Sequence, residues 1–172
     1  ERLGEAVRLN TTVTRLTQAP DSWVLDLRAR GQQARVEHSA VIYAGTAFKL
    51  ADLEVQATMP LHFNTFAEIR YPPVASVVLG YRREAVDHPL DGFGMLVPEV
   101  EGFNILGTLF SSSLFPHRAP DGHVTLTTYV GGVRSPELAL RPEPELFALV
   151  IRDLQRILGV RGEPVFRHAV LY

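Results

Sequence analysis

Alternation of apolar and polar residues dominates the first forty positions. Residues 7–9, 13–16, 23–27 and 36–38 change character at every second residue, the period of a half-buried strand. Asn10, Pro20-Asp21-Ser22 and Gly31 punctuate them as turns. Trp23, Leu25 and Leu27 fall on one face. Residues 40–44 are apolar without a break, which predicts a strand buried on both sides. Around Pro60 the pattern loosens, and Leu61, Phe63, Phe66, Ala67 and Ile69 allow one or two amphipathic turns with Pro60 near their start.

Beyond Tyr71 the strand signals strengthen. Residues 74–81, VASVVLGY, are strongly β-prone, and Gly80 late in the run marks a bulge or a close approach of another chain segment. Asp87-His88-Pro89 is a turn. Residues 93–98 and 103–110 read as two strands joined by a turn at 99–102. Residues 116–122 read as a surface loop, and 123–130 as a strand running out into Gly131-Gly132. The period then changes. Leu146, Leu149, Val150, Leu154, Ile157 and Leu158 recur at three- and four-residue spacing, which predicts a helix over Glu143–Leu158. Pro144 sits in its first turn beside Glu143 and Glu145, and Gly159 stops it. Residues 164–171 are again strand-like. The pattern as a whole is α+β: an antiparallel or mixed β-sheet covered by helices, preceded by a β-meander.

Composition narrows the function. At 172 residues and 46% hydrophobic, the chain can bury a substantial core. A net charge of −2, with both signs interspersed, offers no basic face for nucleic acid. No apolar run reaches the roughly 20 residues needed to span a bilayer, which leaves peripheral membrane contact open. With no cysteine there is no disulfide, thiolate zinc site or thiol nucleophile, and a cytoplasmic location is the default expectation. The first residue is not methionine and the last follows an apolar run, so the chain is expected to be an internal fragment of a longer protein.

No catalytic constellation stands out. His38, His62, His88, His117, His123 and His168 lack metal-ligand spacing, so no metal site is expected. Ser111-Ser112-Ser113 lacks the glycines of a nucleophile elbow and reads as a polar strand end. Gly131-Gly132 is too short to cradle phosphate, and GxGxxG is absent. Arg82-Arg83 and Arg118 read most simply as solvated edge charges. What remains is apolar: two long greasy runs, a Gly-Phe-Gly hinge and the phrase Leu-Phe-Pro, the makings of a pocket wall or, as pattern alone favours, of plain core.

The phrases YPPVASVVLGYRR, HPLDGFGMLVP, LGTLFSSSLFPHRAP and LTTYVGG, in that order, resemble the substrate-binding half of the FAD-dependent, oxygen-dependent protoporphyrinogen oxidases, within the flavin amine oxidase superfamily. The resemblance implies a partial FAD-binding domain over 1–48, in which a hairpin excursion returns to the sheet at VIYAGTAF, and a partial substrate-binding domain over 49–172. It implies FAD in the parent protein, a tetrapyrrole substrate, repeated hydride transfer to the flavin, and dioxygen as acceptor with release of hydrogen peroxide. Chemistry of that kind belongs to the cofactor, so catalytic side chains are not required in this stretch. Position by position, the backbone of Val13 is implied at the adenine end of FAD. Gly94 and Leu96 are implied beside the tetrapyrrole, and Leu109 and Tyr129 on the other side of its pocket. Tyr129 departs from the Phe or Met of relatives, and Gly45-Thr46 from a pair ending in proline. The arginine that pairs with a substrate propionate in the family lies outside these segments. The isolated chain is expected to be inactive, and a homodimer is left open. Two other readings compete: a flavin amine oxidase acting on an amine or carotenoid precursor, and a noncatalytic β module carrying an apolar ligand.

Overall fold

Alternation becomes sheet in both halves of the chain. A computed structural model describes residues 4–59 and 61–172, and its contacts divide between Tyr71 and Pro72 into two units. In the first, β1 (Thr11–Gln18), β2 (Trp23–Ala29) and β3 (Gln32–His38) form an antiparallel meander. After one helical turn, α1 (Ala47–Leu50), the short β4 (Glu54–Gln56) pairs parallel to β1, giving the order β3-β2-β1-β4. The β1–β2 register shifts between Val13 and Arg15. The extra residue, Thr14, donates its hydroxyl to the Asp26 carbonyl oxygen at 3.1 Å. One inserted residue keeps Val13 and Leu16 on the same apolar face although they are an odd number of positions apart.

The opposite face carries a row of alternating charge. Arg35 on β3, Asp26 on β2, Arg15 on β1 and Glu54 on β4 are register partners, at 2.8, 3.8 and 2.8 Å between successive pairs. A hydrogen bond from Arg35, reinforced by the charges of Arg35 and Arg15 and opposed by partial burial, holds the Asp26 carboxyl below its ordinary range.

Several expectations fail in this unit. Residues 7–9 form no strand and are exposed. Residues 40–44 are not a strand either, and Ile42 is 93% exposed. A run apolar on both faces needs strands beside it, and none pairs with it among the described residues. The expected start at Pro60 lies outside the described residues. The helical turn begins instead at Asn64–Glu68, where Phe63 and Phe66 stack at 5.9 Å. Residues 49–71 stay with this unit: the Ala47 N–H donates to the Tyr71 hydroxyl at 3.1 Å, and Phe48 meets the Tyr71 ring edge-on.

The second unit is one antiparallel sheet. Its strands are β5 (Val74–Arg82), β6 (Gly94–Leu96), β7 (Ile105–Leu109), β8 (His123–Gly131) and β9 (Phe166–Leu171), in the order β6-β7-β8-β5-β9. The helices are α2 (Ser111–Leu114), α3 (Pro136–Ala139) and α4 (Glu143–Leu158). Odd residues of β5 (Ala75, Val77, Leu79, Tyr81) and even residues of β8 (Val124, Leu126, Val130) join Leu146, Val150, Leu154 and Leu158 of α4 in one core. Burying those four α4 side chains contributes about 1.5–3 kcal/mol each before entropy is subtracted. α4 has the predicted boundaries, with Gly159 left-handed at φ 62° as its C-terminal stop.

One polar residue sits inside that apolar stripe. Asp153, fully buried on α4, accepts the N–H groups of Asn104 at 2.7 Å and Ile105 at 3.2 Å, tying the helix to the start of β7. The strands expected over 93–98 and 103–110 shorten to β6 and β7. Ser111–Ser113 is not a strand end but the turn α2: the Ser111 and Thr127 hydroxyls share a hydrogen bond at 2.8 Å, and the Thr125 N–H donates to the Ser112 hydroxyl at 3.0 Å. Serine hydroxyls that bond across to a neighbouring strand draw the chain out of the ladder.

Candidate binding site

α4 covers only one face of the second sheet. The other face carries the even residues of β5 and the odd residues of β8, and register carries it across the neighbours. One row runs Gly94, Leu109, Thr127, Val78, His168, and the next runs Leu96, Gly107, Tyr129, Ser76, Val170. Gly94, Leu96, Leu109 and Tyr129, up to 35 positions apart in the sequence, therefore lie on one face in two adjacent rows.

Close backbone approach shapes the β6–β7 end. Gly94 has φ 151°, and a Cβ there would lie 2.4 Å from the Thr108 carbonyl oxygen. A Cβ on Gly107 would lie 2.5 Å from the Met95 carbonyl oxygen. Only glycine fits either site, which leaves a shallow apolar floor beside Leu96, 88% exposed. Gly80 opens the floor in the same way. The ladder runs through it without a bulge, but a Cβ would stand 3.0 Å from that of Phe166.

A cleft of about 650 Å³ opens on this face, with Leu109 and Tyr129 in its wall beside Val78, Phe115 and Phe166. Gly94 and Leu96 share the face but not the cleft lining. Its titratable side chains besides Tyr129 are Arg118 and His123, with no carboxylate among the lining residues. Period-two reading of β8 places His123 on the face of Tyr129. No local pattern marks Arg118.

Val13 belongs to the first unit. It lines a separate cleft of about 830 Å³ with Leu16, Leu25, Val41 and Tyr43 on the apolar side, and Arg28 and Lys49 at hand. β4 pairs with β1 only over Arg15–Thr17, so the β1 edge at Val13 has no strand beside it on that side among the described residues. An open backbone edge above an apolar wall fits a flat heteroaromatic group such as the adenine of a dinucleotide.

Comparison with known proteins gives this geometry a family. The family model described as flavin containing amine oxidoreductase matches residues 1–170. The chain belongs to this family. Among its relatives, protoporphyrinogen oxidase 2, chloroplastic/mitochondrial, of Arabidopsis thaliana is 38% identical over 84% of this chain and 30% of its own length. The mitochondrial protoporphyrinogen oxidase of Nicotiana tabacum is 37% identical over 94% of this chain and 34% of its own. The chain thus spans about a third of the length of these flavin amine oxidoreductases. A solved chain from Exiguobacterium sp. 255-15, provisionally named protoporphyrinogen oxidase, superposes with a TM-score of 0.67 at 18% identity, over 95% of this chain and 34% of that one. At that identity the likeness shows the family's fold alone, and the mixed α+β architecture expected from sequence is borne out.

Proposed function

We propose that the whole protein of which this chain is a part is an FAD-dependent protoporphyrinogen oxidase, converting protoporphyrinogen IX to protoporphyrin IX in haem biosynthesis. The observation that carries this reading is the 37–38% identity over most of the chain to two enzymes of that name. The first unit is read as a piece of the FAD-binding domain, with the Val13 backbone toward the adenine. The second is read as part of the substrate-binding domain. FAD, when bound, supplies the two-electron acceptor, with dioxygen regenerating it and leaving as hydrogen peroxide.

The residues described here bind and orient. Gly94 and Gly107 flatten the floor so that a broad ring can lie against the sheet, Leu96 and Leu109 present aliphatic surface to it, and Tyr129 closes the far side. Dispersion and dehydration hold such a ligand without a reacting side chain. The cleft's basic lining disfavours a protonated amine, which counts against an amine-oxidising member of the family. Cytoplasmic placement, or a peripheral position on the cytoplasmic membrane, belongs to the same proposal, as does a homodimer. No helix among the described residues is long and apolar enough to cross a membrane.

The test follows porphyrin fluorescence in the full-length protein, supplied with protoporphyrinogen under air. Leu96→Asp is expected to slow its growth about tenfold or more, the cost of setting a carboxylate against an apolar ring, while bound FAD stays at the wild-type level. Growth no faster than the spontaneous rate in flavin-loaded wild type would overturn the reading.

A further inference from the structure

Arg118, which pattern alone makes a solvated edge charge, is built into the cleft wall. The segment 115–122 folds back along β8: the Thr125 hydroxyl donates to the Arg118 carbonyl oxygen at 2.8 Å, and the Arg83 N–H donates to the Gly122 carbonyl oxygen at 2.8 Å. The Arg118 guanidinium carbon stands 5.7 Å from the centre of the Phe115 ring, within the range of a cation–π contact. His123 lines the same end, its Nδ1 set 3.0 Å from the Asp121 carbonyl oxygen. Among the described residues Arg118 forms no ion pair.

The cleft is therefore graded along its length. His123, Thr125, Thr127 and Tyr129 succeed one another along β8 on the open face, spanning about 20 Å at roughly 3.3 Å per residue. One end is cationic. The other carries Tyr129 and the aliphatic Leu109, while Phe115 and Phe166 flank the cationic end. A flat apolar body with an anionic group on its rim matches both ends, and a guanidinium fork matches a carboxylate by paired hydrogen bonds. Porphyrinogens carry carboxylate side chains on an otherwise apolar ring.

We propose that Arg118, seconded by His123, binds a carboxylate of the substrate and so selects porphyrinogens with free acid side chains. The assignment rests on the porphyrinogen oxidase reading above. It makes Arg118 a specificity-determining residue of the second unit.

The experiment compares protoporphyrinogen with its dimethyl ester as substrates of the full-length, flavin-loaded protein, for wild type, Arg118→Met and Arg118→Lys. The wild type is expected to favour the diacid. Arg118→Met is expected to raise the KM for the diacid about tenfold, in keeping with loss of a charge-assisted hydrogen bond. Its KM for the diester should stay within about twofold of wild type, and Arg118→Lys should recover part of the loss. An unchanged diacid KM in Arg118→Met overturns the assignment while leaving the oxidase reading intact. An equal loss on acid and ester overturns it as well, because that marks a structural role. A flavin-loaded wild type that oxidises neither porphyrinogen overturns the oxidase reading and this assignment with it.

Discussion

Tyr81 is fully buried on the core face of β5, and its hydroxyl has no hydrogen-bond partner among the described residues. Burial, helped by the charge of Glu163 and opposed by Arg167, pushes the phenol from 10.0 up to about 12. An unpartnered buried hydroxyl costs stability, so Tyr81→Phe, which keeps the ring, is expected to raise the unfolding free energy by about 1 kcal/mol. Urea unfolding of the full-length protein at neutral pH checks this, and a lowered midpoint counts against it. The sign at high pH follows from the raised value: the folded state holds the phenolic proton longer than the unfolded one. Stability tied to Tyr81 is thus intact below about pH 10 and drains away as pH climbs toward about 12. The Phe variant should lose that alkaline decline. Sequence gave no warning of this site, since an alternating strand assigns Tyr81 to the core but says nothing of whether its oxygen finds a partner.

At the scale of elements, legibility followed the length of the repeat. α4 was readable to the residue because sixteen positions repeat one period. The three-residue β4 was unreadable, being defined by its pairing with β1 and by nothing inside itself. The row Arg35–Asp26–Arg15–Glu54 was hidden in the same way, for register is a relation between strands. It makes a prediction of its own. Asp26 sits below its ordinary value, so its contribution is present above the usual carboxylate range and is lost as pH falls through the folded value. Trp23, the single tryptophan, lies on β2 and reports on this sheet. The urea midpoint read by its emission should fall more between pH 5 and 3 in wild type than in Asp26→Asn, taking about 3.9 as the unfolded carboxyl value. Equal slopes would show that the row does not fix the sheet's acid response.

For the molecule as a whole, both sheets were largely legible and period two assigns the faces of β5 and β8, but the register shifts at Val13–Arg15 and Ile105–Gly107, which decide the faces of Val13 and Leu109, left no mark in the alternation. Leu109 and Tyr129 share a cleft because their strands pair in register. Three further things were not legible. The run at 40–44 looked like buried strand because apolar character cannot reveal whether neighbours exist to cover it. The serine run turned into α2 through bonds to β8, sixteen and thirteen residues away in sequence. Arg118 reached the cleft through a loop whose course is set by Thr125 and Arg83. Each depends on a distant partner. The two faces of β8 also lead to an expectation for the full-length protein under saturation mutagenesis. Substitutions at Val124, Leu126, Thr128 and Val130 should lower soluble yield, whereas those at Thr125, Thr127 and Tyr129 should change turnover with yield intact. A phenotype map without that alternation would refute the division of faces.

The glycine pair that flattens the floor reaches beyond binding. At Gly94 and Gly107 a side chain would collide with the backbone of the adjoining strand rather than with any ligand, so the contour of the β6–β7 end of the open face is fixed by the main chain. Adaptation to a new ligand, or escape from a competing one, is thereby channelled to the few positions where a side chain can still vary. Tyr129, a side chain in the cleft wall on the open face of β8, is where such drift is first expected to be written.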